Sequence, residues 1–66
     1  MKYLILKADG CYHMIKEDLV RSINYTDSVI LTEKGSTCYD IIMMRTYDFN
    51  EGMAKIQQAV EGDSGS

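Results

Sequence analysis

The sequence contains no proline, two cysteines and one histidine, and its apolar runs, such as Leu4-Ile5-Leu6 and Ile41-Ile42-Met43-Met44, are short. Each shortage removes a class of protein. Without proline, a glycine repeat or sustained heptads, the chain is neither a collagen-like nor a coiled-coil rod. Two cysteines cannot frame a secreted disulfide knot. The apolar runs fall far below the ~18 residues of a membrane-spanning helix. The first residues combine one lysine with a short apolar run and no small-residue cleavage site, so no signal peptide is expected. No GxGxxG or Walker pattern occurs, and Gly10 and Gly35 read as single turn glycines. A basic cluster is also missing. Lys2, Lys7, Lys16, Arg21, Lys34, Arg45 and Lys55 are spread along the chain, so direct nucleic-acid binding is not expected.

What remains is 66 residues, 45% apolar and 26% charged, with a net charge of -3. This describes one globular domain, expected over residues 1–61, with a small polar tail at 62–66 expected to be disordered. A chain this short buries only about 60% of the surface its unfolded form exposes. Such domains gain stability from disulfides, metals or self-association, and self-association is the expected route here.

Lys2 to Ala8 is rich in strand formers and is followed by Asp9-Gly10, a strong two-residue hairpin signal. Counting outward from that turn pairs Ala8 with Cys11, Leu6 with His13 and Leu4 with Ile15. The other face then carries Lys7 with Tyr12, Ile5 with Met14, and Tyr3 with Lys16. Neither face is properly polar, so the Tyr3, Ile5, Tyr12, Met14 side needs a cover, either the C-terminal helix or another subunit. Lys16 to Ile23 fits two helical turns or an edge strand; a strand from about Leu19 is favoured. Asn24 to Asp27 reads as a turn and Ser28 to Thr32 as a strand. Glu33 to Ser36 turns the chain into the longest expected strand, Thr37 to Arg45, with Thr32 opposite Thr37 and Ile30 opposite Tyr39. Asp48, with Glu51 three residues on, marks a helix start, with Asn50 as the competing cap. Phe49, Met53, Ile56 and Val60 form one stripe, and Gly62 is a natural stop.

This order of features resembles the small FlbD/SwrD-type flagellar and swarming-motility proteins. The matching residues are Asp9-Gly10, Asp18-Leu19-Val20 with Ile23, Asp27 with Val29-Ile30-Leu31, Lys34-Gly35, and Glu51 through Ile56. Together they span roughly residues 2–60. The chain departs from that pattern in lacking a proline before the third strand and in inserting Met43-Met44-Arg45-Thr46-Tyr47 before the helix. The resemblance implies an accessory protein that acts by protein contact, with no catalytic residues to carry over.

Chemistry-bearing residues are few. Cys11-x-His13 and Cys38-x-Asp40 are i, i+2 pairs, so each projects to one face of a strand, and together they form an acceptable tetrahedral zinc set. The commoner reading is that both cysteines are small core hydrophobes, and a Cys11–Cys38 disulfide is the third option. His13 beside Cys11 lacks an orienting third group, so no catalytic residue is assigned. Five tyrosines are many for this length, and tyrosine is enriched at interfaces. Met43 and Met44 point to opposite faces of a strand, which supports burial on both sides.

The expectation is therefore an α+β fold: one antiparallel sheet of four to five strands in two hairpins, with a C-terminal helix packed on it. The expected function is a non-enzymatic interaction or regulatory module in the cytoplasm, of the kind common among phage-type inhibitors and motility accessories. It needs no cofactor and no membrane, and acts as a homo-oligomer on an unknown protein partner. Tyr3, Ile5, Tyr12, Met14, Met43 and Arg45 are the candidate interface, with the Leu19–Ile23 edge available for strand addition. The alternatives are a dimeric nucleic-acid or nucleotide module pooling Lys2, Lys7, Lys16 and Arg21, and a small zinc domain using Cys11, His13, Cys38 and Asp40.

Overall fold

The computed structural model describes residues 1–64. Strands β1 (Tyr3–Ala8) and β2 (Cys11–Lys16) form the first hairpin, in the register expected at all six pairs from Tyr3–Lys16 to Ala8–Cys11. Asp9 and Gly10 both take positive φ, 53° and 76°, as the tight hairpin turn requires. A single 3-10 turn, Glu17–Leu19, leads into β3 (Val20–Asn24). The ambiguous segment is thus a strand from Val20. The Asn24 side chain builds the next turn, accepting the backbone N–H groups of Thr26 and Asp27, each at 3.0 Å.

β4 (Val29–Thr32) and β5 (Gly35–Cys38) form the second hairpin. Its register differs from expectation by two residues: Thr32 faces Gly35 and Ile30 faces Thr37. The turn is Glu33-Lys34 alone, because Gly35 takes φ 124° and resumes the strand at once. An even shift leaves every side chain on its expected face.

The larger correction concerns the long strand. It breaks at Tyr39–Asp40 into β5 and β6 (Ile41–Thr46), which belong to different sheets. The Tyr39 N–H donates to Ser28 O at 2.9 Å, on the β4 side, and the next N–H, of Asp40, donates to Lys7 O at 2.7 Å, on β1. The fold is therefore α+β with two three-stranded antiparallel sheets, β2-β1-β6 and β3-β4-β5, in place of one sheet of four to five strands. Two bent corners, β2 into β3 and β5 into β6, join the sheets into a roll.

The core lies between the sheets. Leu4, Leu6, Ala8 and Ile30 are buried, with Ile15, Val20, Ile23, Tyr39 and Ile42 packed around them. Helix α1 (Phe49–Ser64) covers the opposite face of β1. Asp48 caps it, its Oδ1 accepting the Asn50 N–H at 2.9 Å. Gly52 makes the close approach: a Cβ there would lie 2.7 Å from Met14 Sδ and 3.0 Å from Ile5 Cδ1. The packed side of α1 is marked by buried Gly52 and half-buried Ile56 and Ala59. Of the expected stripe only Ile56 is on that side, while Phe49, Met53 and Val60 lie on the flank, exposed by 51%, 47% and 44%. The helix also runs through Gly62 to Ser64, past the expected stop, and residues 65–66 of the expected tail lie outside the described residues. No helix among the described residues is long and apolar enough to cross a membrane.

Candidate functional site

Rolling two sheets around shared corners leaves two seams between outer strands. At the β3/β6 seam, Arg45 is the hub. Its Nε lies 2.9 Å from Glu17 Oε1, and its Nη2 donates to the Tyr25 hydroxyl at 3.2 Å. Glu17 also pairs with Lys2 at 3.7 Å, and its N–H donates to Lys2 O at 2.9 Å. Polar side chains thus bridge this seam, leaving a shallow depression lined by Val20, Ile23 and Tyr25.

The β2/β5 seam is built differently. Between these outer strands lies a cavity of about 610 Å³. Its floor is Leu6, Ala8 and Ile30, all buried, while His13 and Ile15 of β2 and Thr37 of β5 form the walls. The size falls within the roughly 300–1,000 Å³ of ligand clefts. Both walls are sheet-edge strands, whose outward N–H and C=O groups have no ladder partner within their own sheets.

The expected interface face is occupied by α1. Ile5 is 0% exposed and Met14 lies against Gly52. Tyr3 meets the Phe49 ring edge-on, centroids 5.7 Å apart. The Tyr12 hydroxyl donates to Asp63 on the last turn of α1, and Lys7 Nζ lies 3.5 Å from the same carboxylate. The Tyr12–Asp63 hydrogen bond, above all, raises the Tyr12 pKa and lowers that of Asp63, and the Asp63 charge raises that of Lys7. The C-terminal helix, one of the two covers expected for the Tyr3, Ile5, Tyr12, Met14 face, lies on it in this chain. Met43 is the extra residue of a bulge in β6, half-buried, and Arg45 serves the polar seam.

Cys11, His13, Cys38 and Asp40 do not converge. Thr37 lines the cavity, so strand alternation turns its neighbour Cys38 away from it. Among the described residues no group of three or more His, Cys, Asp or Glu side chains is placed to hold a metal ion. Both cysteines are free and exposed, which also corrects their expected place in the core. The edge strand expected at Leu19–Ile23 is present as β3. The β2/β5 cavity was missed in the sequence because its two walls lie more than twenty residues apart, and the signal that could have found it was the alternation of His13, Ile15 and Thr37 toward one side.

No protein-family model, curated protein or solved structure matches this chain.

Proposed function

We propose that this protein is a non-enzymatic interaction module that captures an extended segment of another protein along the β2/β5 seam. One observation carries the reading: an apolar-floored cavity of about 610 Å³ is flanked by two sheet edges. A strand added there gains main-chain hydrogen bonds from an edge and buries alternate side chains in the cavity. The resemblance to motility accessory proteins agrees with action by contact. The two exposed free thiols suit a reducing compartment, so the cytoplasm is the proposed location.

The nucleic-acid alternative is weakened by the charges themselves. Of the four bases it would pool, Lys2, Lys7 and Arg21 already face carboxylates at 3.5–3.7 Å. Selection of linear peptides from a displayed random library, followed by amide shift mapping, tests the proposal. Selected peptides are expected to perturb β2 and β5. Binders that perturb only other surfaces, or a salt-sensitive gel shift with oligonucleotides and no peptide binders, would overturn it.

Self-association is a second reading, favoured by the exposed Phe49, Met53 and Val60 along one flank of α1. Sedimentation velocity is expected to show a concentration-dependent dimer that Met53→Lys dissolves. A monomer at all concentrations removes it.

A further inference from the structure

The β2/β5 cavity has two unlike ends. The pairing of Val20 with Thr32 sets the β2–β3 corner beside the β4–β5 turn. Lys16 and Lys34 come from those two places, and both line the cavity. Lys2, Lys7, Arg21 and Arg45 each lie within 3.7 Å of a carboxylate, whereas no ion pair engages Lys16 or Lys34 among the described residues. The one carboxylate in the lining, Glu33, is drawn to Arg21 at 3.7 Å. A chain of net charge -3 thus keeps two uncommitted lysines at one end of its apolar cavity. The other end, near Ala8 and Tyr39, carries no charged side chain in the lining.

Resting on the proposed function, we infer that the segment captured in this seam is an acidic–aliphatic strand of a partner protein. Its aliphatic side chains lie over Leu6 and Ile30, and a carboxylate sits between Lys16 and Lys34. The sheet edges supply main-chain partners along its length. Charge then sets which segments are accepted, and the apolar floor sets how long they stay.

The test uses the full chain, isotope-labelled, with blocked heptapeptides of alternating valine and glutamate. Two counterparts carry glutamine or lysine in place of glutamate. Decanoate and a single-stranded oligonucleotide are run in parallel. The glutamate peptide is expected to shift β2 and β5 amides and to bind about tenfold more tightly than the glutamine one, the effect of two rim charge pairs. Lys16→Glu with Lys34→Glu is expected to erase that preference and favour the lysine peptide. Both lysines are exposed, and an unchanged amide spectrum elsewhere confirms that the variant folds. Equal binding of glutamate and glutamine peptides at the seam overturns this inference while leaving the seam as a peptide site. Shifts from decanoate or the oligonucleotide alone, or no seam shifts with any peptide, overturn both.

Discussion

At the β3/β6 seam, Arg45, Glu17, Lys2 and Tyr25 tie the corner to the neighbouring strand through partly exposed charges. At the β2/β5 seam, no side-chain hydrogen bond or ion pair joins the two strands among the described residues, and buried Leu6, Ala8 and Ile30 lie at the bottom of an opening. Polar closure fixes geometry at small net gain, because exposed ion pairs are screened and must order long side chains. Apolar closure is worth more, but only where something lies on top of the floor. A roll with one seam of each kind is tied by side chains at the first and left open above a buried apolar floor at the second.

The comparison breaks most severely if the floor of the open seam is dispensable. Ile30 is 1% exposed and packs from β4 against β1. Ile30→Ala is expected to cost about 2–5 kcal/mol, through lost burial and a residual cavity. A core of this size supplies only about 3–5 kcal/mol in all, so the variant should be largely unfolded in urea titrations followed by circular dichroism. Thr37→Ala, on the exposed wall, should cost under about 0.5 kcal/mol. Similar losses for both would mean that floor and wall are one packed unit.

The helix offers a third closure, made by close contact. Gly52→Leu places side-chain carbons where Met14 Sδ and Ile5 Cδ1 already sit. Overpacking of this kind costs about 1–3 kcal/mol, and shortening the flexible partner with Met14→Ala should recover much of it. No recovery in the double variant would place the obstruction at Ile5, which is fully buried and cannot swing aside.

The polar seam should yield less. Glu17→Gln removes the charge shared by Arg45 and Lys2, and is expected to cost about 1 kcal/mol or less, with most of the loss absent in molar salt. A double-mutant cycle with Arg45→Met measures the coupling directly. A coupling well above that figure would make the β3/β6 seam a stabilising element in its own right.

These contrasts were unevenly legible in the sequence. Asp9-Gly10 admits few turn geometries, so counting outward from it fixed six cross-strand pairs. Glu33-Lys34-Gly35-Ser36 contains one glycine and admits both a two-residue and a four-residue turn, hence the shift of two. The run TCYDIIMMR has unbroken strand propensity apart from Asp40. Its bend at Tyr39–Asp40 is imposed by bonds to Ser28 and Lys7, which no local window contains. The open seam follows from that bend. Lys16 and Lys34 line one cavity only because Val20 pairs with Thr32. Gly52 was the overlooked cue: a glycine inside a helical pattern often marks close backbone approach, and it identifies the packed side of α1 better than the Phe49 stripe does.

The smallest expected effect concerns the far end of α1. An acid in the last turn of a helix opposes the macrodipole, so Asp63 is held there by tertiary partners, the Tyr12 hydroxyl and the Lys7 ammonium. Its carboxyl is pushed below the ordinary 3.8, chiefly by the Tyr12 hydrogen bond. The contribution is therefore present above pH 3.8 and lost as pH falls through the lower folded value. Tyr12 is pushed above 10.0, chiefly by the same hydrogen bond, and Lys7 above 10.5, chiefly by the Asp63 charge. Their contributions are present below those ordinary values and fade as pH rises through the folded ones. The contact should hold between these limits and loosen at both. Amide exchange at residues 60–63 is the measure, with residues 49–53 as the reference. Acid should speed exchange at 60–63 while the Asp48-capped start stays protected, and Asp63→Asn should remove the acid limb. If the acid limb persists in Asp63→Asn, another carboxylate governs how α1 stays on the sheet, and the apolar contact at Gly52 is what separates this cover from the open seam.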